Sequence, residues 1–260
     1  MWFIILFLML IQATTAFAGA WTRDPGSCLV TPKIYAYQAT KYWDAAGGEH
    51  DLASPYQKSE INIYGEYGLT KDNMLVIQTA YDNINDGSAV KSGLADSEIG
   101  IVQKIRSYDD AVVSLKGSLI VPSGYSTTST PLIGYGEIGA EIGLLYGRSW
   151  LGGYIDSALG FRKYNGAPSD QLRGNALLGV EINKKIRLKN NLELIWGLGN
   201  GRTILVQEKV QTTDSQLLQL DLALEFDVNN RTTVTFGFNK ALAGRNTGIG
   251  NSYYLGLNYK

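Results

Sequence analysis

The sequence holds one cysteine (Cys28), one histidine (His50) and only six prolines in 260 residues. A single cysteine excludes an intrachain disulfide in any compartment. Cys28 also lacks a lipobox: Arg23, Asp24 and Pro25 precede it where aliphatic residues would be needed, so it reads as a plain thiol. With Cys28 and His50 as the only soft ligands, no metal spacing of the zinc type exists. Ser–His catalysis would have to run through His50, which follows Gly47 and Gly48 and sits between Glu49 and Asp51. That setting reads as a solvated loop tip, so no catalytic residue is assigned and no enzyme is expected. The glycines at 197–201 are not followed by the Lys-Ser/Thr of a phosphate loop, and no cofactor is expected. A formal net charge of −1 gives nucleic acid nothing to bind. Beyond residue 20 no long uncharged apolar run occurs. The best stretch, 111–121, carries Lys116 in its middle, so no helix of the necessary ~20 apolar residues is present.

What is present begins with an apolar, uncharged run from Trp2 to Ile11, followed by the small-x-small site Ala16-Phe17-Ala18. The run has the length of a secretory signal core, although no Lys or Arg precedes it. The expected organisation is a signal peptide over 1–18, cut after Ala18 (or secondarily after Ala20), and one domain over 19–260.

That domain alternates with a period of two. Leu218, Leu220, Leu222, Leu224 and Phe226 oppose Gln219, Asp221, Glu225 and Asp227. A helix would mix Leu218 and Leu222 with Asp221 and Glu225 on one stripe, whereas a strand separates them. The same holds for 96–105, 111–121, 138–146 and 171–183. Short turn signals at 70–73, 107–109, 147–149, 183–185 and 229–230 alternate with polar stretches at 45–55, 83–93, 122–131, 165–170, 201–214 and 241–250, which read as longer loops. The pattern predicts twelve strands, near 31–43, 56–67, 73–82, 94–106, 110–121, 132–146, 150–164, 171–183, 187–199, 215–228, 231–240 and 251–259.

An all-β, antiparallel, up-and-down transmembrane barrel accounts for these features together. Gly is 30 of 260 and Tyr 16, as expected of tight turns and interfacial aromatics. Tyr67, Tyr81, Tyr146, Trp150, Phe161, Tyr164, Tyr253 and Tyr259 are the expected girdle residues. An even strand count puts both termini and the short turns in the periplasm. A lipocalin-like soluble barrel also alternates, but twelve strands enclose a lumen that side chains alone fill poorly.

Several short motifs carry a family resemblance. Ala20-Trp21-Thr22 opens the domain, and Trp43-Asp44-Ala45-Ala46-Gly47 closes the first strand. Tyr64-Gly65-Glu66-Tyr67-Gly68-Leu69-Thr70, Gly93-Leu94-Ala95-Asp96 and Val121-Pro122-Ser123-Gly124 mark later strand ends. The chain resembles the XagA-like outer-membrane proteins and the wider set of barrels grouped with MetA-pathway proteins of phenol degradation. The resemblance implies a barrel and transport, with no catalytic residues to carry over.

The remaining chemistry lies on the inner face. Alternation assigns to it the acids Glu60, Glu66, Asp96, Glu98, Glu137, Glu141, Asp156, Glu181, Glu193, Asp221, Glu225 and Asp227. The bases assigned there are Lys104, Lys116, Arg162 and Arg173, with Lys58. The candidate lumen-lining set is Glu98, Lys104, Lys116, Glu141, Asp156, Arg162, Arg173, Glu181, Glu193, Asp221 and Glu225. An acid excess favours cations or neutral polar solutes over anions. The expectation is therefore a passive narrow channel in a Gram-negative outer membrane, with membrane lipid, small solutes and the barrel-assembly machinery as partners. A salt-bridged, plugged barrel with a structural or surface-interaction role is the alternative, and a barrel hydrolase is a distant third.

Overall fold

The computed structural model describes residues 19–206 and 209–260, without the side chains of 209–211. The expected signal peptide lies outside the described residues. Among the described residues from 28 onward, strand predominates and no helix occurs. The elements are β1 (Cys28–Trp43), β2 (Glu49–Gly68), β3 (Asn73–Asn85), β4 (Val90–Leu94), β5 (Ser97–Ser107), β6 (Ala111–Val121), β7 (Gly139–Trp150) and β8 (Gly153–Tyr164). They continue with β9 (Gln171–Asn183), β10 (Ile186–Gly197), β11 (Ile204–Val206), β12 (Lys209–Gln211), β13 (Gln216–Asn229), β14 (Thr232–Arg245) and β15 (Thr247–Tyr259).

Successive strands of the wall pair antiparallel, and β1 pairs with β15 to close the ring. β4 and β5 are one wall strand broken at Ala95-Asp96: β3 pairs with β4 through 81–85 and with β5 through 73–78. The barrel therefore has twelve staves, with β11–β12 forming a separate hairpin within the connection from β10 to β13.

Alternation fixes the faces. Ile99, Ile101, Leu115, Leu119, Ile142, Leu144, Leu159, Phe236 and Leu255 point outward and are exposed, forming the apolar surface that a hydrocarbon layer would cover. Closure leaves no unpaired edge, as a bilayer requires of a sheet. Side chains that accept from nearby amides set the short turns. Thr70 Oγ1 accepts from the Asn73 amide (3.0 Å), Asn183 Oδ1 from Lys185 (2.9 Å) and Asn229 Oδ1 from Arg231 (2.8 Å).

Several expected boundaries move. The strand read from 132 starts at Gly139, because residues 132–138 turn into the barrel mouth, where Leu132 and Ile133 are buried. The turn expected at 147–149 lies instead at Leu151-Gly152, with Gly152 at φ 88°. Gly147 stays in β7 and serves another purpose. A Cβ there would stand 2.6 Å from the Trp21 ring, so the glycine makes room for that indole. The loops expected at 83–93 and 241–250 are tight turns. The second is carried by Asn246 alone, at φ 50°, a left-handed conformation that asparagine tolerates better than most residues. The loop at 45–55 shortens to 44–48, since β2 begins at Glu49.

Candidate functional site: the barrel lumen

Across the middle of the lumen runs an ion network. Glu141 on β7 accepts from Lys116 on β6 (3.2 Å) and from Arg162 on β8 (2.7 Å). Arg162 also reaches Glu98 on β5 (2.7 Å), which pairs with Lys116. Arg173 on β9 stands 4.0 Å from Glu141 and 3.9 Å from Glu193 on β10, and Gln219 on β13 donates to Glu193 (2.8 Å). The Glu141 side chain is 1% exposed and that of Lys116 3%. Charges so dehydrated persist only when paired. From β5 to β8 adjacent staves supply alternating signs at one depth, so neighbouring strands build the layer by register, and β9 adds a second cation, Arg173, beside Arg162. The second charged knot joins Lys58 to Glu60 (2.5 Å) and Asp82 (3.8 Å) on β2 and β3.

The opposite wall, from β10 through β15 to β1, is richer in amides. Tyr254 donates to Asp221 (2.9 Å). Lys33 lies 5.1 Å from the Tyr254 ring centroid and 6.0 Å from that of Tyr35, within cation–π range. Lys189 and Arg187 both reach Glu225 (3.2 Å each), and Arg187 extends to Asp227 (3.0 Å). Asn175 donates to Asn191 (3.4 Å) between these groups.

Two cavities flank the central layer. The outer one, about 110 Å³, is bounded by Glu60, Asp82, Asp96, Glu98, Ile133, Tyr135, Tyr164, Arg162 and Arg173. The inner one, about 210 Å³, is bounded by Lys33, Tyr35, Tyr64, Asn175, Lys189, Asn191, Glu193, Gln219, Asp221 and Tyr254. Asn62 lines both.

Both mouths are partly stoppered. At the end carrying the loops, residues 122–138 fold inward: Tyr125 bonds Asp96, Lys91 donates to the carbonyls of Ser126 (2.5 Å) and Ser129 (3.0 Å), and Ile133 packs with Tyr56, Ala80, Ile84 and Ala95. At the end carrying the short turns, Ala20 is fully buried among Tyr64, Met74, Val76, Val102, Val112 and Leu145. These inward apolar residues depart from the uniformly polar lumen that alternation suggests. They form a dry seat for the segment 19–27.

Of the candidate lumen residues, Glu98, Lys116, Glu141, Arg162, Arg173 and Glu193 meet in the central network. Asp221 and Glu225 border the inner cavity, and Asp156 lies beneath it, against the segment that starts at Gly19. Two stand apart. Lys104 bonds the Lys71 carbonyl (2.8 Å) and the Asp72 carboxylate (3.0 Å) at a turn. Glu181 is exposed at the rim, only two residues before the end of β9. Glu137 belongs to the inward loop and not to a strand, and Tyr164, expected in a girdle, lines the outer cavity. Lys33, Arg187 and Lys189 were not among the expected inward bases, although Arg187 and Lys189 share strand parity with Glu193. Among the described residues the inner face carries eleven carboxylates against eight cations, counting Arg23 and Asp82, so the acid excess is smaller than alternation suggests.

His50 sits at the outer end of β2, donates to Asp44 (2.7 Å) and stacks on Tyr42. Asp44 also accepts from the Ala46 and Gly48 amides (2.8 Å each), and the His50 bond together with these holds its carboxyl below the usual carboxylate range. The group orders a five-residue turn. No cluster of three metal-ligating side chains occurs among the described residues.

No protein-family model matches the chain, and no curated protein matches it. Solved structures do. An outer-membrane channel from Pseudomonas putida F1 is similar with a TM-score of 0.74 at 13% identity, over 94% of this chain and 99% of that one. The NanC porin is similar with a TM-score of 0.57 at 9% identity, over 88% and 99%. The KdgM porin, solved with disordered oligogalacturonate, follows at 0.52 and 9%, over 89% and 98%. At such identities the likeness is one of fold, and the fold is that of a twelve-stranded bacterial outer-membrane β-barrel.

Proposed function

We propose that this barrel is a passive, narrow outer-membrane channel for small neutral polar or cationic solutes. The observation that carries the reading is the pair of cavities, bordered by charged and amide side chains and sharing Asn62, inside a wall that closes on itself. Neighbours with the same fold are described as a channel and as porins, which supports conduction as the use of such a barrel. The amides and hydroxyls of the inner cavity suit polar solutes by exchanging hydrogen bonds with them. The modest carboxylate excess disfavours anions.

A specific observation favours a second reading. The central network and the inward segments 19–27 and 122–138 fill enough of the lumen for the barrel to be a plugged scaffold whose loops meet partners. Planar-bilayer recording under a KCl gradient separates the two. Conduction with a reversal potential on the cation side is expected. A chloride preference would refute the solute class, and silence at every voltage would favour the plugged scaffold. The hydrolase reading is weakest, since His50 is committed to Asp44 and Tyr42 at the rim. His50→Ala should leave any lipid or peptide hydrolysis unchanged.

A further inference from the structure

The segment 19–27 is held by the periplasmic mouth residue by residue. The Ser114 hydroxyl on β6 donates to the Ala20 carbonyl (2.6 Å), and both residues are fully buried. The Trp21 ring meets Tyr154 edge-on at 6.2 Å and fills the space that Gly147 leaves. Thr22 Oγ1 donates to the Lys71 carbonyl (2.9 Å), and Arg23 pairs with Glu66 (2.5 Å). Gly26 and Ser27 exchange backbone bonds with Gly68 (2.9 and 3.0 Å).

One group in this seat lacks its complement. Asp156 on β8 points into the mouth and accepts from the Ala20 amide, yet it joins no ion pair among the described residues. Its neighbours are already committed: Glu66 has Arg23, and Lys189 has Glu225. Gly19 lies against this carboxylate. A methyl carbon placed there would stand 2.9 Å from Asp156 Oδ2, so only glycine fits without displacement. The nitrogen of Gly19 is bonded to that same Cα, which sets it beside the carboxylate.

We propose that cleavage after Ala18 creates the cation that Asp156 lacks. Hydrolysis of the Ala18–Gly19 peptide bond by a leader peptidase consumes one water and yields the Ala18 carboxylate and the Gly19 α-ammonium. A neutral amide with a single N–H becomes a charged group with three, facing Asp156 Oδ2. The ion pair then fastens residues 19–27 as the inner stopper, so processing completes the folded mouth. Cleavage after Ala20 would instead discard Gly19 together with the fully buried Ala20. The inference rests on export and not on conduction.

The test starts with intact mass spectrometry of the protein extracted from outer membranes, where a free Gly19 terminus is expected. Mature protein is then compared with the same chain α-acetylated at Gly19, each with Asp156 or with Asp156→Asn, by thermal unfolding in detergent. Acetylation and D156N should each lower the melting temperature by several degrees, and the doubly changed chain should fall no further than either single change, as for two halves of one interaction. Should D156N fail to fold, the acetylated chain carries the comparison, since it keeps Asp156. A terminus other than Gly19, equal melting of the free and acetylated chains, or additive losses would each overturn the proposal, and none of these results depends on whether the barrel conducts.

Discussion

The two walls of the lumen solve the same problem differently. From β5 to β9, Glu98, Lys116, Glu141, Arg162 and Arg173 are nearly dehydrated and share acceptors, with Glu141 serving three cations. From β10 through β15 to β1, the charges are spaced by amides and tyrosines. Asp221 is held by Tyr254 and, with its amide turned to donate, by Asn239 at 3.0 Å. A shared-acceptor network has one arrangement that satisfies every member, so it stiffens its wall. An amide wall has several such arrangements, so it can trade partners with a passing solute. On this view the network sets the constriction, and the amide wall sets what passes it.

The sharpest way to break that contrast is Glu141→Ala against Tyr254→Phe. The first removes the acceptor that three buried cations share and should cost about 3–5 kcal/mol. The second removes one hydroxyl from a carboxylate with other neighbours and should cost ~0.5–1.5 kcal/mol. Unfolding in detergent by denaturant measures both, and equal costs would erase the distinction between the walls.

The next comparison sets inside against outside within one strand. Leu222 faces outward on β13 and Asp221 inward. Leu222→Arg should cost roughly 2–4 kcal/mol in lipid if it lies near mid-bilayer. Asp221→Asn retains an acceptor for Tyr254 and should cost about 1 kcal/mol or less. Similar losses for the two would mean the faces are misassigned.

Selectivity probes the outer cavity. Asp82→Asn combined with Asp96→Asn removes two of its four carboxylates, and the reversal potential should move toward zero. The native bias should also shrink in high salt, as the screening length falls from about 10 Å at 0.1 M to about 3 Å at 1 M. A bias unchanged by either treatment would place the filter elsewhere.

The smallest effect is expected at the rim. The Asp44 carboxyl is lowered by its bonds from His50, Gly48 and Ala46, so ordering of the 44–48 turn is fully present above the ordinary aspartate range. It is lost as pH falls through the lowered value of the folded state. Amide exchange at Ala46 and Gly48 should quicken only below that range, and Asp44→Ala should quicken it at every pH.

Much of this was legible in the order of residues. Leu218 to Phe226 read as a two-faced strand because a side-chain period of two leaves no other way to separate leucine from carboxylate. The turns at 70, 183 and 229 were legible because Thr and Asn cap amides a few residues away. What escaped had causes distant in sequence. Gly147 looked like a turn residue until Trp21, far upstream, was found to need its space. The segment 132–138 looked like strand because Leu132 and Ile133 are apolar, yet both are buried inside the mouth, Ile133 against Ala80 and Ala95. Arg187 and Lys189 could have been found from their parity with Glu193. Met74, Val102, Val112 and Leu145 broke the polar pattern of the inner face, a signal that something dry fills the barrel there.

The sequence by itself determined that this chain is a ring of about twelve antiparallel strands with an apolar outside, because alternation and turn chemistry are local and repeat at every stave. Only the tertiary structure decided which charges meet, that Lys104 and Glu181 stand at the rim, and that the chain's own residues 19–27 and 122–138 occupy the two mouths. Those outcomes depend on the register between staves and on the depth at which each inward side chain arrives, which no single strand encodes.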